Sequence, residues 1–228
     1  MTNYKYIFFD ADDTLWENES YFRNAEAEFS ELFKDFASQE DITHTLWQAQ
    51  EDNIPLFGYG SKTYLIGMLD TAFELYGAPL PHDLYKKVKD IIKRLAFHKV
   101  KVYDGVEDTL KALSKHYNLA VITKGDLTEQ LWKFNQSGLK KYFHRYLVVP
   151  NKSREDYSNL FKEQDLKPEE ILMVGNSVKS DIDPVIAIGG NAVWIPSENI
   201  WIHEVMDLPE SDRIREIVSI KDLPGILL

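Results

Sequence analysis

Short apolar runs alternate with longer amphipathic stretches along most of the chain. Five runs of four or five residues lack strict polar alternation, as expected for parallel strands covered on both faces; they span residues 6–9, 119–123, 146–149, 171–175 and 192–195. Apolar residues at helical spacing lie between them, at 106–116 and 127–139, and Ser153 is placed to cap a further helix. From about residue 101 onward, this order predicts an α/β fold with a doubly wound parallel sheet.

The stretch between the first two predicted strands has a different pattern. It contains no convincing strand, and it shows helical spacing at residues 22–36, 65–76 and 84–97. Predicted helix therefore separates the first strand from the rest of the sheet. We predict a core domain formed by residues 1–16 and 99–228, and an inserted helical domain formed by residues 17–98.

Composition and charge narrow the functional classes. The chain has 228 residues, of which 44% are hydrophobic and 28% are charged, as in ordinary globular proteins. A net charge of -11 argues against a nucleic acid polymer as the main partner, because phosphate backbones require clustered Lys and Arg. A small anionic substrate remains compatible, since a few local cations or one metal ion reverse the field within a pocket.

Missing residue types and segments exclude further classes. The chain has no cysteine, which rules out disulfides, thiolate metal sites and a thiol nucleophile. The six histidines are scattered without the spacing of zinc ligands. No apolar run approaches the roughly 18 residues that a membrane-spanning helix needs, and the first five residues do not resemble a signal peptide. We therefore expect a cytoplasmic protein without a membrane partner.

Polar and charged residues follow four of the predicted strands. Ligand sites of such sheets lie beyond the carboxyl ends of the strands, so these residues are expected to converge on one edge. Carboxylates this crowded resist burial unless a positive group lies among them. The residues in question are Asp10, Asp12 and Thr14 after the first strand, Thr123, Lys124 and Gly125 at the second, Lys152 after the third, and Asn176 and Asp181 after the fourth.

This set of residues resembles the haloacid dehalogenase-like hydrolase superfamily over nearly the whole chain. Asp10-Ala11-Asp12-Asp13-Thr14 matches the Asp-x-Asp-x-Thr box of the family, and Thr123 matches its hydroxyl residue after the second strand. Lys152 matches the lysine of the third motif, and residues 175–181 match the closing acidic motif. The inserted helical segment falls where one subclass, the C1 type, carries a mobile helical cap. Within the superfamily the chain looks most like nucleotidase- and sugar-phosphatase-like members.

The resemblance implies a role for each matched residue. Asp10 would be the nucleophile that forms an aspartyl-phosphate, and Asp12 would protonate the leaving oxygen and later activate water. Lys152 would offset negative charge around the transferring phosphoryl group. The Thr123 hydroxyl and the backbone N–H groups of Lys124 and Gly125 would bind phosphate oxygens. The implied cofactor is Mg²⁺, held by Asp10, the Asp12 carbonyl, Asn176 and Asp181.

The sequence departs from the family pattern at Asn176, where the family usually has an aspartate as metal ligand. An amide oxygen still coordinates Mg²⁺ but adds no negative charge, so we expect weaker Mg²⁺ binding and retained activity. Asp13 stands where the family often has glycine, and we interpret it as a turn or cap group. Lys124 and Arg154 compete with Lys152 for the role of the site lysine. Candidates for reading the leaving group are Trp16, Glu17, Tyr21 and the loop 57–62.

The sequence thus predicts a Mg²⁺-dependent phosphatase of small soluble phosphomonoesters. A phosphoryl-transferring mutase needs the same core residues. A metal-independent dehalogenase is a further alternative, although dehalogenases lack an acid at the position of Asp12. A receiver domain of signalling proteins has no counterpart of the helical insertion, and a non-catalytic phospho-ligand binding protein would have lost more of the motif residues. The natural substrate and the oligomeric state stay open.

Overall fold

The computed structural model describes residues 4–77 and 79–228. Its residues divide into two compact units, one formed by 4–19, 100–124 and 132–228, and the other by 20–99 and 125–131. We call them the α/β unit and the helical unit. The predicted domain borders fall at 16/17 and 98/99, and the helical unit additionally takes in the seven residues 125–131.

The α/β unit contains a six-stranded parallel sheet with the order β3-β2-β1-β4-β5-β6. The predicted α/β class with a parallel sheet is therefore confirmed. The strands are β1 (Tyr6–Phe9), β2 (Asn118–Lys124), β3 (Arg145–Val149), β4 (Ile171–Gly175), β5 (Asn191–Trp194) and β6 (Ile214–Glu216). Five of the six were predicted to within a residue at each end. The sequence analysis missed β6, because this edge strand has three residues, two of them charged and exposed.

The central strands form because both of their faces are covered by apolar side chains. Ile7 and Phe9 of β1 belong to one core cluster, whereas Phe8 points to the other face and packs with Tyr157 and Phe161. In register, Phe9 is paired with Val121 on one side and Val174 on the other. Residues that follow these strands therefore start from the same edge of the sheet.

The helices of the chain are α1 (Glu19–Phe33), α2 (Gln39–Phe57), α3 (Ser61–Tyr76), α4 (His82–Ala96), α5 (Val106–Leu113), α6 (Leu127–Ser137), α7 (Arg154–Glu163), α8 (Asp183–Ala187) and α9 (Leu223–Leu227). A π-helical turn at Val178–Ile182 precedes α8. The predicted helix at 127–139 ends early, because Gly138 adopts a left-handed conformation that stops it. None of the helices in the described ranges is long and apolar enough to cross a membrane.

The helical unit is built from α1 to α4 around its own apolar core. Phe29 and Phe33 of α1, Ile42 of α2 and Met68 of α3 are fully buried there. The long helix α2 begins at the N-cap Ser38, whose side chain accepts a hydrogen bond from the Asp41 N–H. It was not predicted as a separate helix, since its buried positions include the polar Gln50 and Asn53 and its apolar periodicity is therefore weak.

Candidate active site

Asp10 is the first residue after β1, and the backbone of β4 holds it in place. Its N–H donates to the Val174 carbonyl at 2.9 Å, so the residue continues the sheet pairing for one more position. The side chain is buried. The pKa of Asp10 is raised to about 7: burial is the main cause, Lys152 opposes the rise and the Asp181 carboxylate adds to it. This carboxylate therefore lies in a site where negative charge is costly.

Lys152 lies between two buried carboxylates, and we call these three residues the Lys152 cluster. Its Nζ is 2.5 Å from Asp10 Oδ1 and 2.8 Å from Asp181 Oδ1, and the lysine side chain is 1% exposed. Burial opposes the charge on the ammonium, but the two carboxylates outweigh burial and raise the pKa of Lys152 well above its ordinary value. Two carboxylates against one ammonium leave one negative charge on the cluster when all three groups are ionised.

Local structure explains why Lys152 reaches Asp10. The next residue, Ser153, is the N-cap of α7 and forms a reciprocal capping box with Asp156. The competing cations point elsewhere: Lys124 pairs with Glu204, and Arg154 pairs with Asp183 at 3.0 Å.

Asp181 is placed by the turn that follows β4. Its Oδ2 accepts the Ser177 N–H at 3.0 Å, and a side chain at position 175 would collide with the Asp181 carboxylate. Gly175 is therefore required for this carboxylate to lie against the end of β4.

Thr14 links the first motif to the last one. Its Oγ1 lies 3.0 Å from Asp10 Oδ2 and 3.0 Å from Asn176 Oδ1. A hydroxyl carries one hydrogen and donates to one of these oxygens at a time, which leaves the other oxygen available to another donor or to a cation. The structure thus brings Asp10, Asn176 and Asp181 together around Lys152 and Thr14.

The donor chemistry of this site fits Mg²⁺. Within residues 4–77 and 79–228, no cluster of three or more His, Cys, Asp or Glu side chains is arranged to hold a metal ion. The predicted set does not rely on such a cluster, because it combines the carboxylates of Asp10 and Asp181 with the amide oxygen of Asn176 and a backbone carbonyl of Asp12. These are all hard oxygen donors, which Mg²⁺ prefers. The surplus negative charge of the Lys152 cluster also favours a cation.

Asp12 lies apart from the Lys152 cluster and has its own lysine. Lys133 Nζ is 2.9 Å from Asp12 Oδ1, 2.7 Å from Asp12 Oδ2 and 2.9 Å from Asn18 Oδ1. We call Lys133, Asp12 and Asn18 the Lys133 cluster. The indole Nε1 of Trp16 also donates to Asp12 Oδ1, at 2.7 Å. The sequence analysis missed Lys133; the signal that could have found it is the adjacent buried Phe134, which places this part of α6 against the core.

Asp13 forms the turn between the first motif and α1. Its φ of 61° lies in the left-handed region, which explains why glycine suits this position. Its carboxylate accepts the backbone N–H groups of Asn18 and Glu19 at 3.0 to 3.1 Å. Burial raises the pKa of Asp13 to about 6, although these N–H donors oppose the rise. The prediction that Asp13 is a turn and cap group is confirmed.

The residues at the end of β2 occupy the predicted position at the carboxyl edge. The Thr123 side chain is buried, and Gly125 has a φ of 143°, which favours glycine. The Lys124 ammonium is engaged by Glu204 and by Ser180 Oγ at 2.9 Å. Phosphate binding by Thr123 and by the backbone N–H groups of Lys124 and Gly125 stays a prediction.

Glu204 is a second residue that the sequence analysis missed. It lies in the connection between β5 and β6, and its carboxylate accepts hydrogen bonds from Lys124 and from the hydroxyls of Ser177 and Ser180. Against the cost of burial, these donors lower the pKa of Glu204. Glu204 thereby joins the loop after β2 to the turn after β4. No motif marks it, because it comes from a segment without regular periodicity.

The candidates for reading the leaving group include one that the structure corrects. Trp16 is fully buried in the core of the α/β unit, and its only polar atom faces Asp12. It therefore positions a site residue and is not exposed to a substrate. Glu17 pairs with Lys101 at 2.6 Å, Tyr21 stacks on His98, and Lys62 pairs with Asp126 at 2.8 Å.

Comparison with known proteins assigns the family. A family model described as haloacid dehalogenase-like hydrolase matches residues 4–189. The chain belongs to this family of hydrolases. A solved haloacid dehalogenase-like family hydrolase from Xanthomonas campestris is 33% identical, with 99% of this chain and 91% of that chain covered and a TM-score of 0.89.

More distant relatives show what kinds of protein share this architecture. The 5-amino-6-(5-phospho-D-ribitylamino)uracil phosphatase of Escherichia coli (strain K12) is 23% identical over 94% of both chains. A HAD-hydrolase from Bacillus subtilis, solved with bound magnesium, is 20% identical with 99% coverage of both chains and a TM-score of 0.65. Solved dehalogenases also share the fold, at 15 to 21% identity.

Proposed function

We propose that this hydrolase is a Mg²⁺-dependent phosphatase of small soluble phosphomonoesters that works through an aspartyl-phosphate on Asp10. The observation that carries the proposal is that two neighbouring aspartates are each held by a different buried lysine. Asp10 is buried against Lys152, where a nucleophile would meet a phosphoryl group. Asp12, two residues further on, is held separately by Lys133, where an acid/base would be needed. Relatives with phosphatase names support the same reaction class.

The first half of the reaction needs a nucleophile and a proton donor. An oxygen of Asp10 forms a bond to phosphorus while the bond from phosphorus to the leaving oxygen breaks. Asp12, in its protonated form, gives its proton to that leaving oxygen as it departs. The Lys152 ammonium stabilises the negative charge that gathers on the phosphoryl group. Bound Mg²⁺, held by Asp10, Asn176, Asp181 and the Asp12 carbonyl, would add positive charge at the same place.

The second half restores Asp10. Asp12, now deprotonated, takes a proton from a water molecule that attacks phosphorus. The bond between phosphorus and Asp10 breaks, inorganic phosphate leaves, and both aspartates return to their starting state. The Thr123 hydroxyl and the N–H groups of Lys124 and Gly125 hold phosphate oxygens through both halves. In this proposal the helical unit is the cap domain that the family resemblance implies.

Two other enzyme classes are the alternatives to a phosphatase. A dehalogenase needs no proton donor for a departing halide, so the retention of Asp12 with a dedicated lysine argues against it. A phosphoryl-transferring mutase would require a bisphosphate activator. Release of phosphate without such an activator, and no chloride release from 2-haloacids, are the results that separate the phosphatase from both.

The experiment that tests the proposal is a screen for phosphate release from nucleotides, sugar phosphates and p-nitrophenyl phosphate, with Mg²⁺ and with EDTA. We expect Mg²⁺-dependent turnover that D10N abolishes while the fold is retained. D183N is the matched control, because Asp183 pairs with the exposed Arg154 and the variant should leave turnover unchanged. An unaltered rate in D10N would overturn the mechanism.

A further inference from the structure

Lys133 is a buried cation with an unusual set of partners. Its side chain is 2% exposed, and its three donors match three oxygens: both carboxylate oxygens of Asp12 and the amide oxygen of Asn18. A buried ammonium is costly unless it is paired and hydrogen-bonded. Asp12 is the carboxylate that accepts hydrogen bonds from this desolvated lysine, and Asp12 is the acid/base of the proposed reaction.

Asp12 is held from two directions at once. Lys133 reaches it from α6, and Trp16 reaches Oδ1 from the loop that Asp12 itself begins. Backbone contacts fix the same loop, because the Asp13 N–H donates to the Trp16 carbonyl at 2.8 Å. The Trp16 indole is locked in the apolar core, whereas Lys133 is the partner that contacts both carboxylate oxygens.

We propose that Lys133 is a positioning residue that sets the direction of the Asp12 carboxylate. The inference rests on the proposed function, because the direction of the Asp12 carboxylate matters for the reaction if Asp12 is its acid/base. A proton donor must lie within hydrogen-bond reach of the oxygen that it protonates, and small errors of placement cost rate. Without Lys133, Asp12 loses the partner that contacts both of its carboxylate oxygens, and its remaining contacts, among them Trp16 at Oδ1, constrain its direction less.

The test compares two esters that differ in their need for a proton. An alkyl phosphate has a poor leaving group that must be protonated, whereas p-nitrophenolate departs with little help. In K133M we expect kcat/KM for the alkyl ester to fall by about 10-fold or more, which is part of the roughly 100- to 10,000-fold that general acid catalysis contributes. The kcat/KM for p-nitrophenyl phosphate should fall several-fold less, because its leaving group needs little protonation. The comparison uses kcat/KM because this constant covers the steps up to departure of the leaving group. K133R, which can still donate to both Asp12 oxygens, should recover part of the difference.

Matched controls separate positioning from a general loss of stability. K141M removes an exposed lysine that pairs with Glu107 at 2.8 Å, and it should leave both values unchanged. K133Q keeps an N–H donor and carries the same comparison if K133M does not fold. Equal losses for the two esters in the K133 variants, or values equal to those of K141M, would overturn the inference.

A crystal structure of the K133 variant gives a readout that does not depend on turnover. We expect the Asp12 carboxylate to leave its present position; an unmoved carboxylate overturns the inference. Wild-type protein that releases phosphate from neither ester would instead overturn the proposed function and the catalytic purpose of Lys133. The crystal structure would still decide whether Lys133 orients Asp12, so the two failures are distinguishable.

Discussion

The Lys152 cluster and the Lys133 cluster each contain a buried lysine next to acidic residues, but the two lysines differ in how many carboxylates they hydrogen-bond. Lys152 is shared by two carboxylates, both of them buried, so the cluster carries a surplus negative charge when all three groups are ionised. Lys133 donates to one carboxylate, that of Asp12, and to the Asn18 amide oxygen, so these three groups carry no net charge when Asp12 is ionised. The Asp13 carboxylate also interacts with Lys133 electrostatically. A surplus of negative charge favours the binding of another cation, whereas a carboxylate that is matched by one lysine is held in place by it. In the proposed reaction, the Lys152 cluster belongs to the part of the site that binds metal and phosphate, and the Lys133 cluster to the part that transfers the proton.

Removing the shared lysine should have the largest effect. K152M leaves two buried carboxylates without their common partner, and breaking a buried ion pair in this way costs about 3–5 kcal/mol in the free energy of unfolding. Denaturant titration measures it, and phosphate release should be lost as well. Adding D181N to K152M should recover part of the stability. A double variant no more stable than K152M would contradict the charge count of the cluster.

The surplus charge also predicts that Mg²⁺ stabilises the fold. A ligand at 100 times its dissociation constant adds about 2.7 kcal/mol to the free energy of unfolding. Thermal unfolding with Mg²⁺ or EDTA measures the effect, and N176D should lower the Mg²⁺ concentration that is required, because it adds a negative oxygen ligand. No change in the Mg²⁺ requirement of N176D would count against Asn176 as a ligand.

K133M should destabilise the protein less than K152M does. It leaves one carboxylate, 20% exposed and still hydrogen-bonded to Trp16, so we expect a loss of about 1.5–3 kcal/mol, the range for a hydrogen bond to a charged group. The denaturant titrations of the two variants give the comparison directly. A loss in K133M equal to that in K152M would show that the number of buried carboxylates does not set the cost.

The exposed ion pair of Arg154 and Asp183 should show the smallest effect on the free energy of unfolding. Arg154 is adjacent to the N-cap of α7, two residues from Lys152, and its side chain is 64% exposed where it meets Asp183. R154M should change the free energy of unfolding by less than about 0.5 kcal/mol, because surface ion pairs contribute little. A larger loss would mean that this stretch of chain, and not the buried charge, accounts for the effect of K152M.

Sequence reasoning recovered the sheet because its central strands are continuous apolar runs, whose boundaries at β1 and β4 match to the residue. It also brought Asp10, Lys152 and Asp181 to one edge, since parallel strands determine where their exits lie. Contacts that depend on the reach of a single long side chain were not predicted from the sequence. Lys133 and Glu204 stand in ordinary helical and irregular segments, and only the tertiary fold shows that each meets a motif residue.

The hydrogen bond from the Trp16 indole to Asp12 has an optical consequence. Indole emission depends on the hydrogen bond of its N–H and on nearby charge, and Trp16 is shielded from solvent with a carboxylate as its partner. Its fluorescence will change whenever the Asp12 carboxylate moves or gains a proton. With the other four tryptophans replaced, the chain would carry a built-in spectroscopic reporter next to its proposed proton donor, readable in real time and without a dye.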